Sequence, residues 1–92
     1  MAVQVRIPTN LRKYTGDAKQ VEGSGATLGE LFRDLDARHP GLRGGLVDDS
    51  GGLHRFVNVY VNDEDVRFLG SVDTPLTDGD VVTILPAVAG GS

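Results

Sequence analysis

A single amphipathic helix pattern, set between alternating apolar segments, constrains the fold of this chain most. Four apolar side chains recur at the i, i+3, i+4 and i+7 spacing of one helical face: Leu28, Leu31, Phe32 and Leu35. Thr27 and Glu30 have the spacing of a capping box at the helix start. Pro40 pushes the residue before it out of the α region, so we expect the helix to end near residues 38–39.

Five other segments have the features of β-strands. Alternation of apolar and polar residues, or a short apolar run bounded by turn residues, marks residues 3–7, 19–22, 56–61, 66–68 and 81–85. The order strand, strand, helix, strand, short strand, strand predicts an α+β protein with the β-grasp, or ubiquitin-like, fold. Its mixed sheet of about four to five strands would pack on one main helix. We expect a folded domain over residues 1–86 and a flexible Gly-Gly tail over residues 87–92.

Size and residue composition exclude several classes of protein. A chain of 92 residues has room for one small core and too little for a large cofactor cavity. The chain contains no Cys, which excludes disulfides, a thiolate nucleophile and a cysteine zinc site. The net charge of −4 argues against nucleic acid as a partner and favours a positively charged protein.

The sequence also gives an expectation about location. No run reaches the roughly 18 apolar residues of a membrane span, and the N-terminus enters a strand pattern instead of a signal peptide. We therefore expect a cytoplasmic protein that makes no membrane contact and is monomeric by itself.

Motifs that would support catalysis or metal binding fail on their spacing. The glycine-rich segment before the helix, residues 23–29, matches neither the dinucleotide-binding nor the P-loop pattern. His39 and His54 have no companion at ligand or triad spacing. The three acidic clusters, residues 48–49, 63–65 and 78–80, are typical of turns. We predict a protein with no catalytic residues, metal or bound cofactor of its own.

The C-terminal segment is the predicted functional site. Glycine has no Cβ, so Gly90 and Gly91 can enter a channel too narrow for other residues, and residues 87–91 can extend about 16 Å. The remaining tail residues in the prediction are Val88 and Ala89. If Val82 and Ile84 face the core, the opposite face of the last strand carries Leu85. A partner-docking patch is therefore expected at Leu85, Pro86, Phe56 and Tyr60.

Two segments carry a resemblance to a known family. Residues 76–91 combine an Asp-Gly-Asp turn, an apolar strand, Pro86 and Gly90-Gly91, which resembles the C-terminal signature of the ThiS/MoaD sulfur-carrier proteins. Residues 54–68 look more specifically like the CysO-type carriers of cysteine biosynthesis. The resemblance implies an activating enzyme, an adenylyltransferase and sulfurtransferase that uses ATP and Mg. This enzyme would adenylate Gly91, and sulfide would then convert the adenylate to a thiocarboxylate.

The resemblance implies further partners and leaves alternatives open. A pyridoxal-phosphate-dependent sulfhydrylase would accept the sulfur, and a zinc metalloprotease would trim the tail. Ser92 gives Gly91 an amide in place of a free carboxylate, so Ser92 is either an added residue or part of a precursor. Carriers for molybdopterin or thiazole synthesis share this tail. Two alternatives come from other functional classes: a ubiquitin-like modifier that is joined to lysines of target proteins, and a plain interaction module with an inert tail.

Overall fold

An antiparallel strand pair, one helix and three further strands follow one another along the chain. The computed structural model describes residues 2–55 and 57–86. Its regular elements are β1 (Val3–Arg6), β2 (Gln20–Gly23), α1 (Leu28–Arg38), β3 (Val57–Val61), β4 (Glu64–Asp65) and β5 (Val81–Pro86).

The strands form one mixed sheet in the order β2-β1-β5-β3-β4. The central pair, β1 and β5, is parallel, with Val5 opposite Val82, and the other pairs in the described chain are antiparallel. A parallel pair needs a long crossover connection, which here contains the helix. This arrangement confirms the predicted α+β, ubiquitin-like fold.

The helix forms where the capping residues place it. The Thr27 hydroxyl accepts a hydrogen bond from the Glu30 backbone N–H at 3.3 Å, and the Glu30 carboxylate accepts one from the Ala26 N–H at 3.3 Å. At the other end, the His39 N–H donates to the Leu35 carbonyl, one residue before Pro40. The predicted helix and its end are confirmed.

The core lies between α1 and one face of the sheet. All four apolar residues of the helix face are buried, as are alternate residues of the strands: Val3, Val5, Val57, Val59, Val61, Val82 and Ile84. Gly25 lets the chain pass close to the helix, since an added Cβ there would lie 2.5 Å from the Leu31 nitrogen. On the other face of the sheet, Arg6 and Leu85 are exposed and Tyr60 and Thr83 are partly exposed.

The predicted short strand over residues 66–68 is wrong. The fourth strand is Glu64–Asp65, and Val66–Phe68 forms a 3₁₀ helix. Asn62 and Asp63 both have positive φ, at 50° and 73°, as in a two-residue hairpin turn, so pairing resumes at once after the turn. The Asp65 carboxylate then accepts the Arg67 N–H at 2.9 Å and turns the chain out of the sheet.

The segment that connects β1 and β2 also has a defined structure. Residues Thr9–Tyr14 form a 3₁₀ helix that buries Leu11. β1 ends at Arg6, one residue before the predicted end, and Pro8 precedes the 3₁₀ helix, so the chain leaves the sheet here. The space beside the last residues of β5 is therefore not filled by β1.

Candidate docking face at the base of the tail

The alternation of β5 decides which side chains a partner can reach. Val82 and Ile84 are buried in the core, and Leu85 lies on the opposite face with 46% of its surface exposed. Pro86 is exposed at the end of the strand. β5 is the last strand in the described part of the chain, so Leu85 and Pro86 directly precede residues 87–92 in the sequence.

Tyr60 joins Leu85 on the same outer face. Tyr60 pairs with Thr83 and Asn58 pairs with Leu85, which makes Tyr60 the diagonal neighbour of Leu85 across two strands. Tyr60, Thr83, Leu85 and Asp63 line a shallow depression of about 220 Å³. The outer face near the tail thus presents an aliphatic and an aromatic side chain next to polar groups.

Other predicted site residues fall outside the residues that the structure describes. They are Phe56, Val88, Ala89, Gly90 and Gly91. Their roles stay predictions, including the contribution of Phe56 to the docking patch and the sulfur-carrying role of Gly91.

Arg67 holds the strand next to the tail base, a role that no pattern in the sequence indicates. Its guanidinium donates one hydrogen bond to the Asn58 side-chain oxygen and another, of 2.7 Å, to the Val57 carbonyl. Val57 is the partner of Pro86 in the sheet. Because β4 has only two residues, it does not reach this part of β3, and Arg67 occupies the edge instead. Only the tertiary structure brings these residues together.

The turn before β5 is held by a carboxylate. Asp80 accepts hydrogen bonds from the Thr77 N–H at 2.9 Å, the Thr77 hydroxyl at 3.1 Å and the Asn62 amide at 3.0 Å. The Thr77 backbone N–H, followed by the Asn62 amide, lowers the pKa of Asp80 below its ordinary value. Asn62 in turn accepts the Val81 N–H at 3.0 Å. The turn therefore sets the start of β5, and the strand fixes where the tail begins.

Neighbouring acidic residues have similar structural roles. Asp78 accepts the Ala2 N–H at 2.8 Å, and Asp48 accepts the backbone N–H and the hydroxyl of Ser50. Hydrogen bonds from the Ser50 hydroxyl and N–H lower the pKa of Asp48. In residues 2–55 and 57–86, no group of three or more His, Asp or Glu side chains is placed to hold a metal ion. The interpretation of these acidic residues as turn formers agrees with these contacts.

Among the described residues, no helix combines the length and the apolar character needed to cross a membrane.

Comparison with known proteins gives concordant matches in sequence and structure. The model of the ThiS family matches residues 5–91. The sulfur carrier protein CysO of Mycobacterium tuberculosis H37Rv is 59% identical over 93 residues, which cover 99% of this chain and 100% of the relative. The crystal structure of Mycobacterium tuberculosis CysO has a TM-score of 0.90 at 58% identity, covering 94% of this chain and 99% of that one.

Two further relatives widen the comparison. In the crystal structure of the Amycolatopsis orientalis BexX/CysO complex, the matching chain is 56% identical with a TM-score of 0.90, covering 97% of this chain and 99% of that one. Small archaeal modifier protein 3 of Haloferax volcanii is 44% identical over 66 residues, which are 72% of this chain and 71% of the relative. With a family match that extends from the first strand to the second glycine of the tail, this chain belongs to the ThiS family.

Proposed function

We propose that this protein is a sulfur carrier, a cosubstrate of partner enzymes whose C-terminal glycine is activated and loaded with sulfur. One observation carries the proposal: the family match continues past the folded strands through Gly90 and Gly91. The 59% identity to a sulfur carrier protein over nearly the whole chain supports the same role.

The proposed chemistry explains why a carrier needs an activating enzyme. A carboxylate is a poor electrophile, so an oxygen of the Gly91 carboxylate first attacks the α-phosphorus of ATP, and pyrophosphate leaves. Magnesium would neutralise phosphate charge in the partner's active site. Sulfide then attacks the carbonyl carbon of the acyl adenylate and AMP departs, which leaves a thiocarboxylate. All groups that do this chemistry, apart from the terminal carboxylate, belong to the partner.

The fold supports the division between a docking body and a reacting tail. β5 is paired on both sides at Val82 and Thr83, so the strand that precedes the tail is held in the sheet. Beyond Pro86, five extended residues at about 3.3 Å each would reach about 16 Å into a partner. In this proposal Leu85 and Tyr60 contact the activating enzyme outside its active site.

We further propose cysteine biosynthesis as the pathway, because the relatives with the highest identity reported above are named CysO. A pyridoxal-phosphate-dependent sulfhydrylase would accept the sulfur in the cytoplasm. In such a pathway the new cysteine is left joined by an amide bond to Gly91, and a zinc metalloprotease would release it. Ser92 is the oxygen analogue of that cysteine.

A second candidate function is conjugation to lysines of other proteins. The 44% identity to a small archaeal modifier protein favours it. Both functions begin with adenylation and differ in the acceptor. Sulfide gives a thiocarboxylate, whereas a lysine amine gives an isopeptide bond.

Intact-mass spectrometry distinguishes these functions. The form that ends at Gly91 is incubated with ATP, Mg, sulfide and the activating enzyme of the same organism, and we expect a mass gain equal to replacement of oxygen by sulfur. The Ser92-ending form is the matched control and should stay unchanged, because its Gly91 carbonyl is an amide. The proposal fails if the Gly91-ending form gains no sulfur, or if the Ser92-ending form gains it with its serine still attached. Lysine-linked conjugates in place of the thiocarboxylate would support the modifier function.

A further inference from the structure

A groove lies beside the last residues of β5, next to the base of the tail. β1 pairs with β5 as far as Arg6, opposite Thr83, and β5 continues to Pro86. After Pro8 the first chain segment turns into the 3₁₀ helix Thr9–Tyr14 and leaves the sheet. The resulting groove is open to solvent and has a volume of about 820 Å³.

The groove combines an apolar floor with a basic rim. Ile7 and Ile84 are buried beneath it, and Leu85 contributes an exposed apolar wall. The rim carries the cations Arg6, Arg12 and Lys19, and none of the described residues that line the groove is acidic. The Arg12 Nε donates to the Ile7 carbonyl at 3.1 Å, which holds that side chain at the rim.

This local charge is opposite to the charge of the whole chain. The chain carries 9 basic and 13 acidic residues, and three of the basic residues lie around one groove. Like charges close together repel unless an anion lies between them. The net charge of −4 favours a cationic partner in general, but the surface at the tail base is suited to carboxylates.

The backbone at this edge disfavours a partner that would simply add a strand. The Gln4 N–H donates to the Asp80 carbonyl, so the even-numbered residues of β5 turn their backbone groups toward β1. Pro86 is the next even-numbered residue beyond Ile84 and has no N–H to donate. An occupant of the groove must therefore be recognised through its side chains.

We propose that this groove binds a carboxylate-bearing segment of the protein that receives the tail. Apolar side chains of that segment would cover Leu85 and the floor, and its Asp or Glu residues would meet Arg6, Arg12 and Lys19. Leu85 lines both this groove and the depression next to Tyr60, so the two surfaces form one continuous contact area. The inference rests on the proposed function, since it requires a partner that takes up the tail.

Charge reversal at Lys19 tests the groove, with Arg33 as the matched control. Both side chains are exposed, and Lys19→Glu and Arg33→Glu change the net charge equally. Arg33 lies on α1 and lines no part of the groove. The assay is ATP–pyrophosphate exchange by the activating enzyme of the same organism, measured against the concentration of the Gly91-ending carrier. Lys19→Glu reverses one charge. For a partner carboxylate about 6 Å away, we expect this reversal to raise the KM for the carrier about fivefold at low salt.

The expected pattern has two further parts. High salt should reduce the effect of Lys19→Glu, because exposed charges are screened, and Arg33→Glu should leave the KM near that of the wild type. Equal effects of the two substitutions, or no effect of either, would overturn the groove proposal while the wild-type exchange still supports the proposed function. No exchange by the wild type would overturn the proposed function and the groove proposal together.

Two other occupants would give different results, and each would overturn the proposal. If Lys19→Glu raises the KM for ATP and leaves that for the carrier unchanged, the groove binds nucleotide phosphate. If Lys19→Glu shifts the amide resonances of residues 87–92 in the free protein, the tail itself occupies the groove.

Discussion

Replacing Leu85 with Asp tests the docking face most directly. With 46% of its surface exposed, Leu85 has about half of its transfer free energy left to gain on binding, about 0.7–1.5 kcal/mol. A carboxylate pressed against an apolar partner surface adds a desolvation cost of about 1 kcal/mol or more. The sum, about 2 kcal/mol, corresponds to an affinity for the activating enzyme that is about 30-fold weaker. The fold should survive, because Leu85 does not belong to the core.

Isothermal titration of the carrier into the activating enzyme measures this effect, and circular dichroism checks the fold. Leu69→Asp is the matched control, since Leu69 is 40% exposed and receives the same charge at the end of the 3₁₀ helix Val66–Phe68. The reasoning is refuted if Leu85→Asp binds like the wild type, or if Leu69→Asp weakens binding as much. A collapsed dichroism spectrum for Leu85→Asp would refute its placement on the outer face.

Two further predictions concern the contacts that hold the tail base. Arg67→Ala should lower the free energy of unfolding by about 1–2 kcal/mol in urea denaturation, because it removes two hydrogen bonds to β3. Arg67→Lys should restore only part of this stability, and full rescue by Lys would contradict the bidentate role of the guanidinium. Asp80 has a pKa below its ordinary value, so its stabilisation is present above about pH 4 and is lost as the pH falls through the folded-state pKa. Asp80→Asn should therefore have a lower free energy of unfolding than the wild type at neutral pH, and this difference in stability should shrink as the pH falls. A difference that stays constant as the pH is lowered would refute the role of the Asp80 carboxylate.

Local sequence patterns were sufficient for the main elements of the fold. The helix face and its cap are written in a few consecutive residues, and the capping contacts of Thr27 and Glu30 involve neighbours within four positions. For β5 the strand period fixes only that alternate residues share a face, and the structure shows that Val82 and Ile84 are the buried ones. Where local signals competed, prediction failed. Val66–Phe68 has the composition of a strand but forms a 3₁₀ helix. The turn at residues 62–63 puts the strand pairing at Glu64–Asp65, and the Asp65 carboxylate then caps the 3₁₀ helix.

By itself, the sequence indicated one main helix, a mixed sheet, no cysteine chemistry and a Gly-Gly tail with a family signature. Only the tertiary structure placed Arg67 against Val57 and gathered Arg6, Arg12 and Lys19 around one groove. These contacts join residues from different elements, and no local pattern encodes them. Net charge is a sum over the whole chain, whereas a partner responds to the charges within about one Debye length of its contact. That is why an acidic sequence can present a basic surface at the base of its tail.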